Sequence, residues 1–66
     1  MEYTAEDLKE AKIQIDSLLH KLKQTVKTLE AKENPSRYKS QITLAKRRIK
    51  ALETANYFIE KETGKI

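Results

Sequence analysis

Residues 33–40 read ENPSRYKS, and this stretch decides whether the chain is one long helix or two. Asn34 before Pro35 is a pairing that starts helices, because proline at the first helical position has no N–H to leave unsatisfied. The same proline disfavours helical backbone at Asn34, so a helix arriving from upstream has to end by about Glu33. The break falls near the middle of the 66 residues.

The pattern on either side is helical. Upstream, Thr4 is a good N-cap, Asp7 stands three residues on as in a capping box, and Tyr3 and Leu8 occupy the staple positions. Leu8, Ile15, Leu22 and Leu29 recur at intervals of seven, with Ala11 and Leu18 between them and Leu19 and Val26 widening the stripe. The stripe spans an arc of roughly 140°, the width of a core-facing helix face. Downstream, Tyr38, Ile42, Ala45, Ile49, Leu52, Asn56 and Ile59 form a second stripe, and Gly64 is placed to follow the last helical turn.

The spacing predicts helix 1 over about 5–33, a turn at about 33–35 and helix 2 over about 35–63, all in one 1–66 domain. Each helix would be about 43 Å long, and equal helices joined by a short turn make an antiparallel hairpin. Pairing residues whose numbers add to about 68 matches the stripes layer by layer. Leu29 meets Tyr38, Val26 meets Ile42, Leu22 meets Ala45, Leu19 meets Ile49, Ile15 or Asp16 meets Leu52, and Leu8 or Lys9 meets Ile59.

Helix 2 carries a further apolar line. Leu44, Ala51, Ala55 and Phe58 lie within roughly 40° of one another's mean direction and are rotated away from the hairpin seam. The two lines together cover about 200° of helix surface, more than one partner helix buries. Two helices also make a thin core, and chains this short commonly recruit disulfides, metals or oligomerisation. A symmetric dimer, two hairpins forming a four-helix bundle, answers both problems. The blander reading takes the two alanines as good helix formers and Phe58 as a stray exposed aromatic. On the dimer reading, Leu44, Arg48, Ala51, Ala55 and Phe58 are the self-association residues. Asn56 sits where periodicity would place an aliphatic residue; a buried Asn there fixes register or oligomeric state, whereas at the open end of the hairpin it would simply meet solvent. Ile13 is the one strong apolar residue on the wrong side of helix 1 and, as a lone surface residue, is ordinary.

Charge is polarised along the chain, whose net charge is +4. Residues 1–20 hold two Lys and five acids (−3), residues 21–50 ten Lys/Arg and two Glu (+8), and residues 51–66 two Lys and three Glu (−1). Hairpins lying side by side with their turns at opposite ends would set each basic half against an acidic end, so the charges favour an antiparallel dimer over a parallel one.

Chemistry is sparse. No cysteine is present, which removes disulfides, thiolate metal sites and thiol catalysis. With one glycine there is no phosphate-cradling loop, nucleophile elbow or calcium loop. Asp16 and His20, four residues apart, share a helix face, but two ligands do not make a zinc site and the pair reads as an exposed side-chain contact. No cofactor, metal or catalytic set is expected. The basic stretch KRRIK (46–50) is the other candidate. Arg37, Lys39, Lys46, Arg47 and Lys50 could neutralise phosphates in a salt-sensitive, sequence-independent way, although no aromatic is interleaved with the cluster over 39–50 for base stacking. A basic helix lying on anionic lipid fits less well, since packing claims the apolar faces. No apolar run approaches the roughly 18 residues of a membrane span, and MEYTAEDLKE lacks the apolar core of a secretory signal. The expectation is a cytoplasmic, non-enzymatic interaction or scaffold module that self-associates, with a small nucleic-acid-binding protein as the alternative.

Overall fold

The structure, a computed structural model, describes residues 2–64; Met1, Lys65 and Ile66, which the sequence reading includes in its single domain, lie outside the described residues. The described chain is all-helical. Helix α1 spans Ala5–Glu30, a short 3-10 helix spans Pro35–Tyr38, and helix α2 spans Lys39–Thr63. The two long helices pack against each other as an antiparallel hairpin 48 Å long.

The start of α1 is held as the sequence implies. Thr4 Oγ1 accepts from the Asp7 N–H at 3.1 Å, and the Thr4 N–H donates to Asp7 Oδ2 at 3.0 Å. Two amide donors at the helix start are satisfied by this reciprocal pair. Thr4→Ala removes one half of it, a loss of about 1 kcal/mol. The expected result is a melting temperature about 4–8 °C lower, read by circular dichroism.

Helix α1 ends at Glu30, earlier than about Glu33. Proline constrains only Asn34, which is extended at φ −123°, ψ 76°. The chain also has to cross the gap between two side-by-side helices, and it uses residues 31–34 to do so. Leu29 is the last α1 residue with a seam to pack on, so nothing rewards further helix. Pro35 does open a helical segment, but its first turn is 3-10: the Arg37 N–H donates to the Asn34 carbonyl at 3.0 Å. The Lys32 ammonium lies 5.9 Å from the centre of the Tyr38 ring, a cation–π contact that ties the loop to the new helix. At the far end, Gly64 follows α2 with φ −66° and ψ −18°. That is right-handed backbone open to any residue, so the glycine marks the helix end without supplying a left-handed cap.

Both seam stripes are where the periodicity put them, with one exception. Leu19, Val26 and Ala45 are buried. Leu8, Ala11, Ile15, Leu22 and Leu29 of α1, and Ile42, Ile49, Leu52, Asn56 and Ile59 of α2, are half-buried, as is Tyr38. Leu18 is the exception, at 48% exposed.

The register differs from a centre of about 68. Asp16 reaches Asn56 and Lys12 reaches Glu60, each four residues further along α2 than that centre gives. Lys23–Glu53 and Glu30–Lys46 pair further along still. Side chains on a helix lean toward its N-terminus, which in an antiparallel pair shifts every contact toward higher numbers on the second helix. A shift of about one turn returns the same stripe to the seam, so the buried residues do not change.

These contacts form a polar clasp across one broad side of the two-helix layer. Asn56 Nδ2 donates to Asp16 Oδ1 at 2.8 Å, while Lys12 Nζ lies 3.2 Å from Asp16 Oδ2 and 2.9 Å from Glu60 Oε1. Asn56 is half-buried and bonded across to α1 through its Nδ2, although its Oδ1 is enclosed with no hydrogen-bond partner. The exposed ion pairs contribute little stability in water; their effect is to favour one alignment of the helices.

The hydrogen bond from Lys12, and then that from Asn56, holds the Asp16 carboxyl below the ordinary carboxylate range. Bonds to Glu60 first and Asp16 second hold the Lys12 ammonium above the usual lysine value. The depressed Asp16 value means its contribution is complete above about pH 4 and is lost as pH falls through the lower folded-state value. The Lys12 contribution is lost only above about pH 10.4. Thermal melts between pH 2 and 7 are therefore expected to fall more steeply below pH 4 for the native chain than for Asp16→Asn.

Candidate self-association surface

The clasp occupies one broad side of the layer, and the opposite side carries an apolar groove. Leu18 and Leu22 of α1 line an open groove there together with Arg48, Ala51 and Leu52 of α2. Leu44 and Phe58 are 47% and 58% exposed, and Arg48, Ala51 and Ala55 are exposed as well. The five residues assigned to self-association therefore share one exposed strip of α2. Helical rotation places that strip about a third of a turn from the seam. Nearer the open end, Tyr3, Leu8 and Ala11 line a second hollow with Glu2 and Asp7.

Leu18 extends this surface and was assigned to the seam by periodicity. It lies at the edge of the α1 stripe, on the side away from Lys12 and Asp16, so it faces the groove instead of α2. The signal was the arc of roughly 140° on helix 1, which, like that on helix 2, is wider than a single neighbour requires. Phe58 is further fixed by Tyr57, whose ring meets it edge-on at 5.3 Å between centres; Lys61 in turn sits over the Tyr57 ring at 5.6 Å. A ring braced in this way loses less freedom on docking than a free one. Ile13, at 60% exposed, stands on the outer side of α1, apart from the strip.

The other candidates fare differently. Asp16 does not pair with His20. Lys12, one turn earlier, takes its Oδ2 and Asn56 takes its Oδ1, and His20 is exposed. Among the described residues no group of three His, Cys, Asp or Glu could hold a metal ion, and no helix is long and apolar enough to cross a membrane. Of the five basic candidates, Lys46 pairs with Glu30 at 3.4 Å. Arg37, Lys39, Arg47 and Lys50 are exposed on the turn and on the face of α2 away from the seam. No protein-family model, curated protein or solved structure matches this chain.

Proposed function

We propose that the protein is a non-enzymatic interaction module that self-associates, two hairpins stacking their apolar sides into a four-helix bundle. One observation carries this reading. Among the described residues, the ion pairs and hydrogen bonds joining α1 to α2 through Asp16, Lys12, Lys23 and Glu30 lie on one broad side, and the groove of Leu18, Leu22, Ala51 and Leu52, with the exposed Leu44, Ala55 and Phe58 of α2, lies away from it. Contiguous exposed apolar patches rimmed by polar residues mark interaction surfaces, and a core of three buried residues among those described is thin for a self-sufficient domain of this size. Stacking two such layers would bury the apolar sides and leave both clasps in water.

Molar mass by light scattering, followed from about one to several hundred micromolar, tests the reading. The expected result is twice the chain mass of 7.7 kDa at the upper end, falling toward one chain on dilution. A single-chain mass throughout, with full helicity, would refute it. The nucleic-acid alternative is weakened by the engagement of Lys46 with Glu30. Titration with a generic duplex at low and physiological salt is expected to show no binding even at low salt; binding that is tight at low salt and falls steeply as salt rises would reverse the preference between the two readings.

A further inference from the structure

Three features coincide at mid-length on the apolar side. The groove is centred on Ala51 of α2 and on Leu18 and Leu22 of α1. The sign of the charge reverses at the same level, between residues 20 and 21 on α1 and between 50 and 51 on α2. The strip is also balanced about Ala51, with Leu44 seven residues before it and Phe58 seven after, and the smallest side chains, Ala51 and Ala55, near the middle. We infer that a second copy of this chain docks on the apolar side about a two-fold axis passing through Ala51, so that Ala51 meets its own counterpart and Leu44 meets the partner's Phe58. This rests on the self-association reading above and adds its symmetry and contacts.

Two ways of stacking the layers keep two-fold symmetry with the apolar sides together. Rotation about the long axis puts both turns at one end and α2 over α1. Rotation about an axis across the helices puts the turns at opposite ends, α2 over α2 and α1 over α1. The first stacks two +8 halves on each other. The second lays each +8 half, residues 21–50, over residues 1–20 and 51–66 of the partner, which together carry −4. Over distances comparable to the screening length of about 8 Å at physiological salt, the second is favoured. Small residues at the crossing let the helix axes approach to about 8 Å, while Leu44 and Phe58 cover the flanks. The same axis sets Leu18 and Leu22 of α1 near the partner's copies, which gives a use to the one seam residue that packing leaves exposed. The hairpin's two longest dimensions, 48 and 18 Å, provide a side of the size that a standard interface buries, about 800 Å² per partner.

Disulfide trapping reads the axis directly, since the native chain has no cysteine to interfere. Single variants Ala51→Cys, Leu44→Cys and Phe58→Cys, with Ile13→Cys on the outer side as control, are oxidised under mild conditions after helicity is confirmed. Ala51→Cys is expected to convert mostly to a covalent dimer. Leu44→Cys and Phe58→Cys alone should form at least fivefold less, and an equimolar mixture of the two should recover cross-linking as a heterodimer; Ile13→Cys should give none. If Leu44→Cys and Phe58→Cys each trap as well as Ala51→Cys, the axis is wrong while self-association stands. A two-chain mass by light scattering without trapping of Ala51→Cys also overturns the axis alone. A single-chain mass with no trapping at any position removes the self-association reading itself.

Discussion

Leu19→Ala is expected to unfold a large fraction of the protein at 25 °C. Leu19 is 7% exposed and is one of three buried residues in the described hairpin, with Val26 and Ala45. Truncating a buried leucine removes transfer free energy and leaves a cavity, together about 2–5 kcal/mol. A domain below about 70–80 residues rarely holds more than about 3–5 kcal/mol in its core, so the loss is comparable to the whole. The surroundings have little capacity to collapse, because the neighbouring core positions lie along a single seam. Urea titration followed by helical circular dichroism checks this; an unchanged midpoint would show that the seam is not what holds the hairpin together. Leu18→Ala is the paired control. Its side chain is half-exposed and faces the groove, so the change should leave the helicity of the dilute hairpin nearly intact and weaken association instead.

Phe58→Ala should act almost entirely on association. Phe58 is the largest side chain on the exposed strip and is braced against Tyr57. Aromatic anchors of this kind typically contribute about 2 kcal/mol or more when truncated at an interface. In a two-fold dimer each substitution occurs twice, so about 4 kcal/mol is lost. At 1.4 kcal/mol per tenfold change, the dissociation constant should rise about a thousandfold. Sedimentation equilibrium on native and variant chains measures it. Helicity at matched low concentration, where both chains are single, should be the same; if the variant dimerises as tightly as the native chain, the apolar side is not the interface.

The contrast between Leu19 and Leu18, adjacent in sequence, shows what periodicity could and could not settle. The seam residues were legible because burial on a helix follows its angular repeat, and Asn34–Pro35 can be read as a break from backbone sterics alone. Position at the edge of a stripe is different. Whether Leu18 turns into the seam or out of it depends on where the partner helix lies, and that is set by the loop and by the lean of side chains along both helices. The same dependence explains Asp16. Local spacing placed His20 on its face, whereas the structure gives it Lys12, one turn earlier, and only the register brings Asn56 and Glu60 within reach to complete the cluster. The earlier end of α1 at Glu30 has a similar origin: the length of the connection follows from the distance to be crossed between packed helices, which no residue in ENPSRYKS encodes by itself.

By itself, then, the sequence determined that there are two helices, where the chain reverses, which residues form the seam apart from Leu18 at its edge, and that α2 has apolar surface to spare, because each of these follows from local sterics or from angular repeat. The tertiary structure decided the alignment of the helices and, through it, the division of the layer into a clasped polar side and an open apolar one. That division is a property of the pair: a side chain's surroundings on a broad side come from both helices at once, and neither helix specifies them until the other is in place.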